Sequence, residues 1–315
     1  MSVYWRGWNK FKNLEIVPGG TINFNQAGGR SYFVNNITGS ASADGLSWGT
    51  AMNEVTTAIT AQTAYRLALT GVAPTHASSY GRDTIYVMGT GTTYLPIATM
   101  PSMCDIIGVG ADPFGNGTGI AVIGDATGAQ DGMAGSTRGS NWFNLQFVGA
   151  GSYYGVDLAA AYRSKFENCA FGGNAASAAC AIAFNVVAGS GLVMRDCKTL
   201  AHAAFPVIGY AFATAGGTFN ECLIERCYAN ASASGMLNAG YLNNGTVIRD
   251  CICYGGTSGI ADTSAQTGDG ALAFYFHNFA SGATNGITMT NSPERHCMQN
   301  YSVGNATSLL YFALA

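Results

Sequence analysis

Charged residues are scarce in this chain of 315 residues, since Asp, Glu, Lys and Arg together make up only 10% of it. The formal net charge is −3 and no long basic run is present, so we expect no nucleic-acid partner, because surfaces that follow phosphates are strongly basic. No stretch of 18 or more apolar residues occurs, so no membrane-spanning helix is expected. The start, "MSVYWRGWNKFKNLE", lacks the apolar core and cleavage site of a secretory signal, which predicts a cytosolic origin.

Paired cysteines are also missing, because the nine cysteines form no C-x-x-C motif of the kind that binds zinc. Several cysteines stand inside apolar runs, so we expect reduced and buried thiols, with disulfides as the open alternative. We predict no metal site and no cofactor. Glycine is abundant at 43 residues and 48% of residues are apolar, which favours a folded chain with many turns.

A short motif repeats along the second half of the chain at steps of 22 to 30 residues. Its copies are WFNLQF (142–147), FENCAF (166–171), MRDCKT (194–199), IERCYA (224–229), IRDCIC (248–253), FHNFAS (276–281) and MQNYSV (298–303). The first and fourth positions are mostly apolar or cysteine, so we expect them to face a core. Such a period predicts one structural unit per repeat, stacked into a solenoid of short parallel strands.

The third position of the motif is mostly Asn or Asp, the residues that tolerate a left-handed backbone at a corner. We therefore predict a stacked ladder of corner residues, formed by Asn144, Asn168, Asp196, Asp250, Asn278 and Asn300. On this interpretation Asp196 and Asp250 are structural. The cysteines next to these corner residues occur once per coil and would be stacked in a line. A line of thiols does not give the tetrahedral arrangement that a zinc site requires.

The second position alternates acid and base over four successive repeats, as Glu167, Arg195, Glu225 and Arg249. Stacked opposite charges on neighbouring strands contribute roughly 0.2–1 kcal/mol each. We interpret these residues as a structural charge ladder that points outward and fixes the strand register. No catalytic residue is assigned from the sequence.

The segment before the repeats predicts an end cap. Met52, Val55 and Ile59 recur at helical spacing over about residues 50–69, with Thr50 as N-cap and Glu54 in the first turn. "DTIYVM" at 83–88 has the composition of a strand. A helix over the first coil would cover the open end of a solenoid.

The run of "DGLSWGTAMNEVTTAI", "DTIYVMGTGTTY" and "DIIGVG", followed by rungs such as "IRDC" and "FENC", resembles the pectin-lyase-like right-handed parallel β-helix superfamily. The resemblance covers about residues 31–304 and implies an all-β parallel β-helix with an N-terminal capping helix. The expected organisation is a docking arm over 1–30, a cap with the first coils over 31–110, and the β-helix over 111–315. The superfamily includes polysaccharide lyases, glycoside hydrolases, phage tailspikes and structural virion proteins, so the resemblance implies fold more than function.

The first thirty residues do not fit the cap. They hold a basic and aromatic cluster that predicts docking to a partner subunit, or else a first strand laid along the solenoid. The cluster consists of Trp5, Arg6, Trp8, Lys10, Phe11 and Lys12. The apolar end "SLLYFALA" would need covering by another subunit, and β-helices of this kind commonly form homotrimers.

Other polar and aromatic residues give weaker signals. Asp112, Asp125 and Asp131 lie in a glycine-rich insertion and are interpreted as turn residues, with weak ion binding as the alternative. The four histidines stand in no triad arrangement, and His277 is expected at the surface. Tyr153, Tyr154, Tyr275 and His277 could stack on sugars or pack loops, and we favour loop packing.

Two functions remain. The first is a structural virion protein of a bacteriophage, made in the host cytoplasm, which decorates the capsid surface or forms a short spike anchored by its N-terminal arm to other capsid or tail proteins. The alternative is a polysaccharide lyase or glycoside hydrolase that acts on host surface glycans. The neutralised charge ladder favours the first, because Arg195 separates the two carboxylates Glu167 and Glu225.

Overall fold

The computed structural model describes residues 29–71, 82–115, 117–125, 129–173, 180–201, 204–243, 245–263, 273–289 and 296–304. Strands are numbered in chain order and form three parallel sheets. Sheet A contains β1 (Ser31–Val34), β2 (Asp83–Met88), β3 (Cys104–Val109), β6 (Asn141–Phe143), β9 (Lys165–Glu167), β12 (Val193–Arg195), β16 (Leu223–Glu225), β20 (Thr246–Arg249), β23 (Ala273–Phe276) and β26 (His296–Met298).

Sheet B contains β4 (Val122–Gly124), β7 (Gln146–Gly149), β10 (Ala170–Gly173), β13 (Lys198–Leu200), β17 (Tyr228–Ala231), β21 (Ile252–Gly255), β24 (Phe279–Gly282) and β27 (Tyr301–Gly304). Sheet C contains β5 (Met133–Arg138), β8 (Val156–Tyr162), β11 (Ile182–Ser190), β14 (Ile208–Phe212), β15 (Thr218–Asn220), β18 (Ser234–Asn238), β19 (Tyr241–Asn243), β22 (Ser258–Asp262) and β25 (Asn285–Met289). Each full coil passes through A, B and C in turn, so the predicted parallel β-helix is confirmed.

The core lies between the three sheets and is built from columns of stacked side chains. Trp142, Phe166, Met194, Ile224 and Ile248 are buried and pair in sequence along sheet A. The rings of Trp142 and Phe166 stack at 6.0 Å between centroids. The first column of the repeat therefore faces inward, because alternate residues of a strand point to opposite faces.

The predicted cap helix is present, although it starts later than expected. Helix α1 runs over Val55–Thr70, after a short 3-10 turn at Trp48–Thr50. The Ser47 side chain accepts a hydrogen bond from the Thr50 amide and closes that turn, and Ala51 is extended, so the helix cannot begin at residue 50. Within the helix, Arg66 is buried and pairs with Asp83 of β2 at 2.6 Å.

The corner ladder is correct for its first four members and wrong for the last two. Asn144, Asn168, Asp196 and Asp250 have φ between 51° and 54°, whereas Asn278 and Asn300 are not in the left-handed region. Their places at the corner are taken by His277 (φ 50°) and Gln299 (φ 52°).

The sequence alignment of the last two motif copies was displaced by one residue, which explains this difference. Phe276 pairs with Arg249, so it belongs to the second column of the repeat rather than to the first. Asn278 consequently falls in the inward column, next to Cys251. A shift of one residue moves every side chain of a strand to the opposite face.

Asn278 and Asn300 instead form a buried ladder inside the β-helix. Asn278 donates its backbone amide and its side-chain amide to Oδ1 of Asn300, at 2.9 and 3.0 Å. Oδ1 of Asn278 accepts the Cys251 amide at 3.0 Å, and the Asn300 side chain donates to the Tyr275 carbonyl at 2.9 Å. These polar groups can be buried because their hydrogen bonds are made within the ladder.

Tyr275, for which we favoured loop packing, is instead fully buried in the core. Its hydroxyl donates to Asp262 and accepts from the Asn238 side chain, both at 2.6 Å. The docking residues of the predicted arm (1–30), from Trp5 to Lys12, lie outside the described residues, as does the apolar end at 308–315. The arm and the domain boundaries therefore stay predictions. Within the described part, no helix is long and apolar enough to cross a membrane.

Candidate functional site

The four residues of the charge ladder lie in one file on sheet A, because Arg195 pairs in register with both Glu167 and Glu225, and Glu225 pairs with Arg249. Glu225 is 1% exposed and is held between the two guanidinium groups of Arg195 and Arg249. Glu167 makes its ion pair with Lys165 of its own strand. The ladder is therefore centred on one buried carboxylate.

Desolvation raises the pKa of the Glu225 carboxyl, but hydrogen bonds from Arg249 and Arg195 outweigh it and leave the pKa below its ordinary value. The corner residue Asp196 accepts two hydrogen bonds from Arg226, at 2.7 and 2.8 Å, and these lower its pKa. Asp250 lies 3.6 Å from the His277 ring. Each of these carboxylates is thus contacted by a basic side chain from a neighbouring coil.

The cysteines form a second column inside the helix. Cys169, Cys197, Cys227 and Cys251 are fully buried or nearly so, and each thiol approaches the carbonyl oxygen two residues before it. Burial raises the pKa of the Cys197, Cys227 and Cys251 thiols well above the ordinary value. Thiols of this kind are poor nucleophiles.

An acidic site lies on the outer face of sheet C, where Asp157 interrupts the largely apolar strand β8. Asp157 is partly exposed, and its Oδ1 accepts a hydrogen bond from Nδ2 of Asn185 on the next coil at 2.7 Å. The Asn185 oxygen in turn accepts from the Thr214 hydroxyl at 3.0 Å. The amide is thereby fixed with its nitrogen toward the carboxylate.

A second carboxylate, Asp131, stands beside this site. Its Oδ1 accepts the backbone amide of Tyr154 at 2.7 Å, which holds the loop before β8 against the loop before β5. Desolvation raises the pKa of Asp157, the Asn185 hydrogen bond lowers it, and the negative charge of Asp131 raises it further, for a net increase. Burial and the same two carboxylates raise the pKa of Tyr154.

Two neighbouring carboxylates, one with a raised pKa, are the arrangement that general acid–base catalysis requires. The surface next to these carboxylates carries small side chains, since Ser136 of β5 and Ala159 of β8 are exposed. Tyr153 is 40% exposed at the same end, so an aromatic ring is available to a ligand. We define Asp131, Tyr154, Asp157 and Asn185 as the acidic site.

Sequence reasoning missed the centre of this site. Asp157 belongs to no repeat column, and Asp131 was interpreted as a turn residue like its neighbours. Asp112 and Asp125 do hold turns, since their carboxylates accept the amides of Phe114 and Ala129 at 3.0 and 2.6 Å. One signal was available, because Asp157 is the single charge in the apolar run "VDLAAAY" (156–162).

No protein-family model and no curated protein matches the chain. Solved structures that resemble it include a point mutant of a pectin methylesterase in complex with a hexasaccharide, at 12% identity and a TM-score of 0.48, covering 91% of this chain and 92% of that one. Another is the pectin methylesterase from Aspergillus niger in penultimately deglycosylated form, at 12% identity and 0.45, covering 94% and 93%.

At this identity the resemblance concerns the path of the backbone and assigns no substrate or residue role to this chain. The fold rests on the strand pairing itself, with three parallel sheets, corners between sheets A and B that each hold one left-handed residue, and a helix at the first coil. By that pairing the chain is a parallel β-helix protein.

Proposed function

We propose that this protein is a carbohydrate-acting enzyme that hydrolyses glycosidic bonds at the acidic site. The observation that carries the proposal is the partly buried Asp157, whose pKa is raised next to a second carboxylate, Asp131. The exposed Tyr153 ring and the small side chains of sheet C suit the broad, polar and uncharged surface of a glycan.

The chemistry follows from the two environments. Asp157, protonated, donates its proton to the glycosidic oxygen as the bond from that oxygen to the anomeric carbon breaks. The Asp131 carboxylate either removes a proton from the water that attacks the anomeric carbon, or attacks that carbon itself to form a glycosyl ester that water then hydrolyses. The distance between the two carboxyl groups decides which. Asn185 positions Asp157, because its amide donates to Oδ1 and leaves Oδ2 for the substrate.

The test is release of reducing ends from a panel of bacterial and plant polysaccharides by the purified protein. Asp157→Asn keeps the shape and the Asn185 contact but cannot donate a proton, so we expect a loss of about 10²- to 10⁴-fold in rate. Asp112→Asn, a change of the same kind in an exposed turn, is the matched control and should keep full activity. Wild-type protein that releases nothing from the panel, or Asp157→Asn at the wild-type rate, would overturn the proposal. Unsaturated products would instead indicate a lyase.

A second candidate function is a structural component of a bacteriophage virion, on its surface and assembled as a homotrimer. It is supported by exposed apolar side chains on one side of the β-helix, namely Phe205, Val207, Ile252, Tyr254, Tyr301 and Val303, which are 36–58% exposed. Large apolar patches commonly mark protein interfaces. On this view the arm at residues 1–12 anchors the protein to capsid or tail.

The experiment for this candidate measures the mass of the protein in solution and its binding to phage particles. A trimer that binds particles, and loses that binding when residues 1–12 are deleted, is the expected result. A monomer, or particle binding that persists without the arm, would argue against it. Retained glycan binding without hydrolysis would fit this candidate better than the enzyme.

A further inference from the structure

Three arginines converge at one corner of the β-helix, although the whole chain has only 14 Lys and Arg residues. They line a pocket of about 390 Å³ where sheet C turns into sheet A. The pocket is lined by Arg82, Met103, Arg138, Gly139, Tyr162, Arg163 and Ser190. We call it the arginine corner.

Strand register brings these residues together from distant parts of the chain. Arg138 at the end of β5 pairs with Tyr162 at the end of β8, and Tyr162 pairs with Ser190 at the end of β11. Arg163 follows Tyr162 at the corner, and its amide donates to the Ser190 carbonyl at 2.8 Å. The two arginines therefore lie on adjacent coils, which are about 4.8 Å apart.

The charge of the corner is not balanced. Arg82 is neutralised by Asp105, which accepts from it at 3.0 and 2.5 Å. Arg138 lies over the Tyr162 ring, 4.8 Å from its centroid. Among the described residues, neither Arg138 nor Arg163 forms an ion pair with a carboxylate, so two positive charges remain.

Arg163 has a left-handed backbone at a position that glycine occupies in the two adjacent coils. Arg163 has φ 47°, while the residues stacked on it in the coils before and after are glycines, Gly139 at 60° and Gly191 at 65°. A residue with a Cβ pays a free-energy cost in this region that glycine does not. The next charged residue of this corner column is Glu221, exposed and two coils beyond Arg163.

We propose that the arginine corner binds a phosphoryl group. A phosphate monoester carries a charge of about −1.5 to −2 at pH 7, which balances Arg138 and Arg163, whereas a carboxylate would leave one guanidinium unpaired. Guanidinium groups bind tetrahedral oxyanions through two parallel hydrogen bonds, and Ser190 also lines the pocket.

The arginine corner and the acidic site occupy opposite ends of the same strand. Asp157 is the second residue of β8 and Tyr162 the last, so they are five positions apart, or about 16 Å along the strand. A phosphorylated glycan bound at the corner would extend over the small side chains of sheet C toward Asp157. Binding of the phosphoryl group does not depend on hydrolysis, so the inference goes beyond the proposed function.

The test is isothermal titration calorimetry with the full-length Asp157→Asn protein, so that turnover, or its absence, does not affect the result. Its ligands are inorganic phosphate, glucose 6-phosphate, glucuronate and glucose. Arg163→Gly restores the residue found in both neighbouring coils, so the variant should fold at least as stably as its parent and bind phosphate about tenfold or more weakly. Arg226→Gly removes another corner arginine with a left-handed backbone (φ 51°), but one that Asp196 already pairs. It is the matched control and should bind like its parent.

Tighter binding of glucose 6-phosphate than of phosphate would identify the source as a phosphorylated sugar, and equal binding would identify the free anion. Both results support a phosphoryl site. Glucuronate bound as tightly as phosphate, no binding of either phosphate ligand, or equal losses in Arg163→Gly and Arg226→Gly would overturn it.

Discussion

Replacing Glu225 by Gln tests the interpretation that the charge ladder stabilises the fold. The carboxylate is 1% exposed and accepts three hydrogen bonds, one from Arg195 and two from Arg249, at 2.5 and 2.9 Å for the latter pair. The amide keeps the size of the side chain but removes its charge. The variant therefore isolates the electrostatic contribution.

The magnitude follows from the difference between charged and neutral hydrogen bonds, about 1 kcal/mol per bond. Three bonds give roughly 3 kcal/mol. The amide recovers part of the desolvation cost of the carboxylate, and Arg195 and Arg249 are 32% and 46% exposed, so solvent screens them. We expect a net loss of about 2 kcal/mol in the free energy of unfolding at pH 7.

The assay is urea unfolding followed by circular dichroism, at pH 7 and at lower pH. Because the folded-state pKa of Glu225 is depressed, its contribution is present above the unfolded value of about 4.3 and is lost as the pH falls through the folded value. The difference between Glu225→Gln and the wild type should therefore shrink in acid.

Glu167→Gln is the matched control, since Glu167 stands in the same column but is 30% exposed and pairs with Lys165. We expect it to cost less than about 0.5 kcal/mol. Equal losses in the two variants, or a loss in Glu225→Gln that is unchanged in acid, would refute the reasoning.

Three further predictions concern packing, titration and the thiols. Gly108→Ala should destabilise the protein by about 3 kcal/mol, because a Cβ would lie 1.9 Å from the Asn144 carbonyl oxygen. Gly117 has open space around it, so Gly117→Ala should be near neutral in the same urea assay. Similar unfolding midpoints for the two variants would count against this packing. Asp157→Asn should be more stable than the wild type at pH 7 by urea midpoint. This gain should fade as the pH falls through the raised pKa of Asp157, since the wild-type carboxyl then binds a proton, and a gain that persists in acid would contradict it. Ellman's reagent should label at most one of the nine cysteines in the native protein and all nine in urea, because eight are buried; rapid labelling of several native thiols would disprove their burial.

The architecture was predictable from local patterns. Large apolar residues recur at the first repeat position and Asn or Asp at the corner, and both properties depend on the residue itself, through burial or through tolerance of a left-handed backbone. Asn144, Asn168, Asp196 and Asp250 accordingly have the expected φ. The cap helix was predicted within five residues at its start, where a serine-capped turn intervenes.

The register of the last coils was not predictable in the same way. Phe276 and Met298 are as apolar as the core residues before them, so pattern alone placed them inward and made Asn278 and Asn300 corner residues. The pairing of Phe276 with Arg249 puts Phe276 in the second column instead. An asparagine ladder can be buried once its hydrogen bonds are made between coils. The residue pattern of a single repeat does not show whether such bonds form.

The sequence by itself determined the winding of the chain, because strand length, corner residues and apolar columns are local and repeat every two dozen residues. Only the tertiary structure decided which outward residues meet. Asp131 and Asp157 are 26 positions apart, and Arg82 and Arg163 are 81 apart, and loops of unequal length between coils set their alignment. Function here depends on contacts between coils, which arise only when the turns are stacked.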